Sequence, residues 1–227
     1  MLRVFIGYDD RQPVAYNVLQ FSIATRSSRP VSVTPLILSQ LPITRAGLTP
    51  FTFSRFLVPW LCNYEGTALF LDIDMLVLAD IAELFDMMDD NALMVSKNRL
   101  KFEWASAMLF NCGHADNRRL TPEFIETAEN LHTIPWTDKV GDLPGEWNHL
   151  VMYDEPKPAK LVHYTAGIPC FPETKDLGYG PEWMNELKAA MAAKSWQTLM
   201  AKSVHARPVL ERIRAGGVAP PQPGQRS

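Results

Sequence analysis

The sequence predicts a three-layer α/β domain with a mostly parallel central sheet. Apolar runs of strand length alternate with helix-length segments, the pattern of a sheet covered by helices. Ala68-Leu69-Phe70-Leu71 is apolar at four consecutive positions, as a strand buried on both faces requires. The chain has 227 residues, 47% of them hydrophobic and 21% charged, enough to bury a core without cross-links.

The elements follow in order. Leu2 to Tyr8 is β-branched and aromatic and ends at Asp9-Asp10, so it reads as a first strand. Pro13 suits the first turn of a helix running to about Arg26, with Val14, Val18 and Phe21 or Ser22 on one face. Val31 to Leu38 reads as a strand, placed at an edge or bent by Pro30 and Pro35. Ser54 is a candidate N-cap for a helix from Arg55 to about Tyr64, closed by Gly66. Thr67 to Asp72 is a central strand. Ala79 to Met88 follows as a helix, and Ala92 to Ser96 and Ser106 to Asn111 as strands. Thr121-Pro122 pairs an N-cap with Pro at the first helical position and opens a helix to about Leu131. Trp136 to Asn148, rich in Gly, Pro, Asp and Trp, reads as a structured loop. Lys160 to Tyr164 is a last strand, and Pro181 opens a helix to about Lys202. Residues 1–215 are expected to form one domain, and the Gly/Pro/Gln tail of 216–227 to be disordered.

Composition excludes several classes. The net charge of −3 gives no electrostatic reason for a nucleic-acid partner. Three cysteines without a CxxC argue against a disulfide framework or a cysteine zinc site. The first residues lack a signal-peptide pattern, and the most apolar stretch, 68–78, carries Asp72 and Asp74. A cytoplasmic protein without a transmembrane segment is the expectation.

In a parallel α/β sheet ligands gather beyond the carboxyl ends of strands. Three such ends carry chemistry here: Gly7-Tyr8-Asp9, Asp72-Ile73-Asp74 and His163-Tyr164. Two carboxylates at i and i+2 leaving a strand can converge on Mg²⁺ or Mn²⁺ while leaving positions for phosphate oxygens. Acids set between Leu71 and Met75-Leu76-Val77-Leu78 are costly unless paired or metal-bound. His163 is an acceptable Mn²⁺ ligand, and Thr165-Ala166-Gly167 after it enters a turn whose amides could approach a phosphate.

Phe53-Ser54-Arg55-Phe56-Leu57-Val58-Pro59, the block from Ala68 to Phe85 around Asp72-Ile73-Asp74, and His163-Tyr164-Thr165-Ala166-Gly167 together resemble family-8 retaining glycosyltransferases, the glycogenin-like and galactosyltransferase-like enzymes. The resemblance implies a GT-A, nucleotide-diphospho-sugar transferase fold. It implies that Asp72, Asp74 and His163 hold Mn²⁺ (or Mg²⁺) against the diphosphate of a UDP-sugar. Gly7, Tyr8 and Asp9 would line the base and ribose pocket, with Ile73 and Gly167 beside the donor. Arg55 would contact donor sugar or phosphate, and the partner would be a glycan or other hydroxyl acceptor. Asp138 and Asn148, from the acidic region before and after Pro144-Gly145-Glu146-Trp147, would act with Arg55 in catalysis. The sequence departs from the family where a phosphate-contacting Lys gives way to Ile168-Pro169-Cys170, and where an Asn-Ala-Gly block gives way to Trp104-Ala105-Ser106.

Two other readings compete. A haloacid dehalogenase-like phosphatase also places Asp-x-Asp after an apolar strand, and Gly141-Asp142 with Glu146 imitates its late acidic motif. Leu76, however, stands where that family wants Thr or Val. A protein that binds a nucleotide sugar or glycan without turnover is the second, although a decayed site has no reason to keep all three metal ligands.

Overall fold

The computed structural model describes residues 1–98, 100–191, 211 and 214–216. The chain divides into two units, Met1–Ala190 and Met191–Ser227. The first unit carries all that follows.

Its main sheet has six strands: β1 (Leu2–Gly7), β2 (Val31–Leu36), β3 (Thr67–Leu71), β5 (Leu93–Val95), β6 (Ala107–Asn111) and β7 (Val140–Asp142). They are ordered β2-β1-β3-β6-β5-β7. β1 runs parallel to β2 and β3, and β5 parallel to β7, whereas β6 is antiparallel to both of its neighbours. A second sheet of three strands is ordered β4 (Met75–Val77), β9 (Leu161–His163), β8 (His149–Leu150). The helices are α1 (Pro13–Arg26), α2 (Val58–Leu61), α3 (Ala82–Asp86), α4 (Pro122–Thr127) and α5 (Gly180–Ala190). No helix among the described residues is long and apolar enough to cross a membrane.

The expected strands are all present. β2 takes an edge, where the missing N–H of Pro35 interrupts no second ladder. β3 is the buried central strand, flanked by a parallel neighbour on one side and an antiparallel one on the other. Thr121 caps α4 by accepting a hydrogen bond from the Phe124 amide, with Pro122 at the first position.

Several details differ from expectation. α1 buries Ala15, Val18, Leu19, Ser22 and Ile23, while Val14 and Phe21 stay half-buried. The helix packs against both β4 and α5, so its covered face is wider than a single stripe. Ser22 is tolerated in that core because its hydroxyl donates to the Leu19 carbonyl and accepts from the Val77 amide. Ser54 begins a 3-10 turn (Ser54–Leu57) that leads into α2 and is not a cap, since its hydroxyl donates to the Phe51 carbonyl. The helices expected over Ala79 to Met88 and to Leu131 are shorter, and Trp136 to Asn148 is not one loop but contains β7. The extension of α5 to Lys202 and the tail beyond 216 lie outside the described residues.

α5 is held to α1 by a bidentate ion pair. Arg26 Nη1 and Nη2 lie 2.8 and 2.6 Å from the two carboxylate oxygens of Glu186. Trp183 on the same helix is fully buried. Gly7 ends β1 against the Phe51 ring, which a Cβ at that position would overlap. This explains glycine where the first strand reaches the ligand edge.

Candidate active site

Strand register defines which edge of the main sheet matters. Leu71 pairs with Ala107, Met108 with Val95, and Val95 with Asp142. The ends of β3, β5 and β7 and the start of β6 therefore share one edge, and Asp72 leaves the sheet there. The chain turns through Ile73, fully buried, and enters β4 at Met75, which pairs with His163 of β9. Two backbone bonds fix this crossing: the Asp72 amide donates to the Ser106 carbonyl (2.9 Å), and the Tyr164 amide donates to the Asp74 carbonyl (2.9 Å). Asp74 and His163 thus meet because two short strands pair.

The result is a cluster of one ligand atom each from Asp72, Asp74 and His163, all within 4.8 Å of one another. His163 Nε2 is 3.4 Å from Asp74 Oδ1. Asp72 is buried and faces Arg55, whose Nη2 lies 3.0 Å from Asp72 Oδ1 and whose Nη1 donates to the Ala105 carbonyl at 2.7 Å. Even so, Asp72 Oδ1 has no hydrogen-bond partner. Burial dominates its protonation: it pushes the carboxyl up to about 7, against the opposing pull of Arg55. Burial also pulls His163 down, but Asp74, Asp72 and Glu103 together lift it above its ordinary value. Two carboxylates and an imidazole that converge on one point form a donor set that fits a hard or borderline divalent cation.

The other expected residues divide. Arg55 is part of the group, but its guanidinium is buried and engaged by Asp72 and Ala105. Asn148 is buried and braces the neighbouring turn, donating from Nδ2 to the Glu103 carbonyl (3.1 Å) and to Ser106 Oγ (3.0 Å). Gly167 closes the turn after His163 with φ +105°, its amide donating to the Tyr164 carbonyl. Tyr8 lines a cavity of about 470 Å³ beyond β1, together with Asp10, Ile37, Leu38, Ile43 and Thr44.

Two expected residues sit differently from the rest. The Asp9 carboxylate is fully buried and held by Arg11, which contacts both of its oxygens, while Asp10 lines the cavity beside Tyr8. Asp138 is exposed and precedes β7, whose first residue pairs with Leu93 at the edge opposite Asp72. β7 runs from there toward the site, and its end, Asp142, reaches the edge that carries Asp72. Glu103, which sequence reasoning missed, does reach the cluster, with Oε2 3.6 Å from His163 Nδ1. Its one sequence signal is an acid between Phe102 and Trp104, three residues before the strand that flanks Asp72.

The mostly parallel six-stranded sheet, with Asp72 leaving the carboxyl end of β3 toward a second small sheet, has the GT-A fold. Solved structures agree on the fold. The chain superposes on the galactosyltransferase LgtC, solved in complex with donor and acceptor sugar analogs, with a TM-score of 0.61 at 13% identity, covering 87% of this chain and 99% of that one. It superposes on the glycosyltransferase GlyE of Streptococcus pneumoniae with a TM-score of 0.63 at 18% identity, covering 99% and 67%. For the bifunctional glycosyltransferase WbbM the TM-score is 0.66 at 16% identity and 88% coverage, and the chain spans about half of that protein (51%). No protein-family model matches the chain. By sequence the chain is 39% identical over 224 positions to Protein CDI of Arabidopsis thaliana, covering 82% of this chain and 86% of that protein, and it belongs to the same family.

Proposed function

We propose that this protein is a metal-dependent glycosyltransferase that moves a sugar from a UDP-sugar to a hydroxyl acceptor with retention at C1. The observation that carries the reading is the convergence of Asp72, Asp74 and His163 at the ligand edge of a GT-A fold. These three side chains would hold Mn²⁺ or Mg²⁺, and the cation would supply positive charge to the leaving diphosphate. Arg55 serves the same end indirectly, since its guanidinium keeps the buried Asp72 available as an anion. Tyr8 lines the cavity proposed for the nucleoside, with Gly7 just before it at the end of β1, and the turn closed by Gly167 would bring backbone toward the phosphate oxygens. The acceptor hydroxyl bonds to C1 as the diphosphate leaves.

The direct test is a panel of UDP- and GDP-sugars in thermal melts with and without Mn²⁺. One donor should raise the melting temperature only when the metal is present, because bound ligand stabilises by mass action. No donor effect with Mn²⁺ would overturn the reading, and an inverted anomeric product by NMR would overturn retention.

A pH dependence follows from Asp72. A cation binds only the deprotonated carboxylate, and this carboxyl is held up at about 7. Mn²⁺ affinity should therefore rise at least about tenfold between pH 6 and pH 8, since Asp72 must lose its proton and His163, itself lifted above its ordinary value, must be neutral. Calorimetric titrations at the two pH values check this, and an affinity independent of pH would remove Asp72 from the ligand set.

A further inference from the structure

We propose that Glu103 is a positioning residue whose carboxylate orients His163 so that Nε2 is left as the lone-pair atom facing Asp72 and Asp74. The inference rests on the metal reading above and concerns how this chain prepares its imidazole.

A neutral imidazole carries one N–H, and the hydrogen bond made by one nitrogen decides the state of the other. His163 Nε2 faces Asp74 Oδ1 at 3.4 Å. Left to that contact alone, the proton would settle on Nε2, where it would block a cation from the imidazole. The opposite nitrogen, Nδ1, is buried without a hydrogen-bond partner, and the carboxylate it faces is Glu103, with Oε2 at 3.6 Å. A negative oxygen on that side draws the proton to Nδ1 and frees the Nε2 lone pair. This is the role that outer carboxylates play behind metal-bound histidines.

The rest of the turn is built to hold Glu103 there. Its amide donates to the Leu100 carbonyl at 2.7 Å. Its carbonyl accepts from Ser106 Oγ at 2.5 Å and from Asn148 Nδ2 at 3.1 Å. Ser106 and Asn148 are both buried, and the Ser106 carbonyl accepts from the Asp72 amide. One small network therefore fixes Glu103 and Asp72 together. It also accounts for buried Asn148, whose side-chain amide donates into this turn and not to the three clustered residues.

The test uses the full chain as Glu103→Ala and Glu103→Gln, the second keeping an oxygen acceptor without the charge. Mn²⁺ alone is titrated into metal-free protein by calorimetry. Independently, ¹⁵N-histidine NMR at pH 9 reads the tautomer of His163, assigned by its loss in His163→Gln. Glu103→Ala should bind Mn²⁺ about 10–100-fold more weakly and move His163 toward the Nε2–H tautomer, with Glu103→Gln intermediate in both. Wild-type affinity together with a wild-type tautomer in Glu103→Ala would overturn the proposal. If the wild type itself binds no Mn²⁺, the metal reading fails. The tautomer measurement then still decides whether Glu103 orients His163. Should Glu103→Ala fail to fold, Glu103→Gln decides by the same two readouts.

Discussion

Asp74→Asn should abolish Mn²⁺-dependent donor binding and sugar transfer while leaving the protein folded. Asp74 supplies one of two carboxylates in a three-residue donor set, and an amide oxygen cannot replace its charge. Its structural work is done by the backbone, whose carbonyl accepts from the Tyr164 amide whatever the side chain. The side chain is 24% exposed, so the neutral amide meets little desolvation cost. Calorimetry with Mn²⁺ and the donor selected by the panel, beside a thermal melt, separates the two effects. Donor affinity equal to wild type in the presence of Mn²⁺ would remove Asp74 from the metal site.

Arg55→Ala is expected to have the largest effect on stability. It removes the guanidinium that faces buried Asp72, and it frees the Ala105 carbonyl. Removing one partner of a buried ion pair costs about 3–5 kcal/mol. Arg55→Lys should recover only part, since a single ammonium cannot reach both Asp72 and the Ala105 carbonyl with a planar fork. The combination Arg55→Ala with Asp72→Asn should be less destabilising than Arg55→Ala alone, because the unpaired charge is gone. Denaturant unfolding of the wild type, Arg55→Ala, Asp72→Asn and the double variant gives the coupling. Additive losses would mean that the pair carries no interaction energy and that Arg55 acts only through packing.

Much of this architecture was legible in the chain, and the reasons are physical. β1 and β3 are long enough and apolar enough on consecutive positions to declare themselves, and Thr121-Pro122 announces α4 by its capping chemistry. Asp72 and Asp74 stood out because acids inside an apolar run carry an energetic cost. Most of the small sheet was illegible: Lys160 to Tyr164 read as a strand and is β9, but β4 and β8 have three and two residues, too few for any period, and they exist only through pairing with it. The same limit applies around Asp138. With β7 read as loop, nothing in the sequence told which edge of the sheet it approached. Glu103 escaped because its partner is some sixty residues away and its 3-10 turn has no pattern of its own.

The pairing of Met75 with His163 has a consequence for the order in which the molecule can come apart. Asp74 and His163 are distant in sequence, so the loop between them must be closed, at an entropic cost, each time the small sheet forms. That sheet is a ladder of three very short strands, whereas the main sheet has six. Sub-global opening should therefore begin between β4 and β9. Such an opening would scatter the three ligands while β1, β3 and β6 stay intact. A cation held by all three acts as a reversible cross-link between distant segments, and it should slow amide hydrogen exchange at Leu76 and Val162 far more than at Leu69 or Leu109.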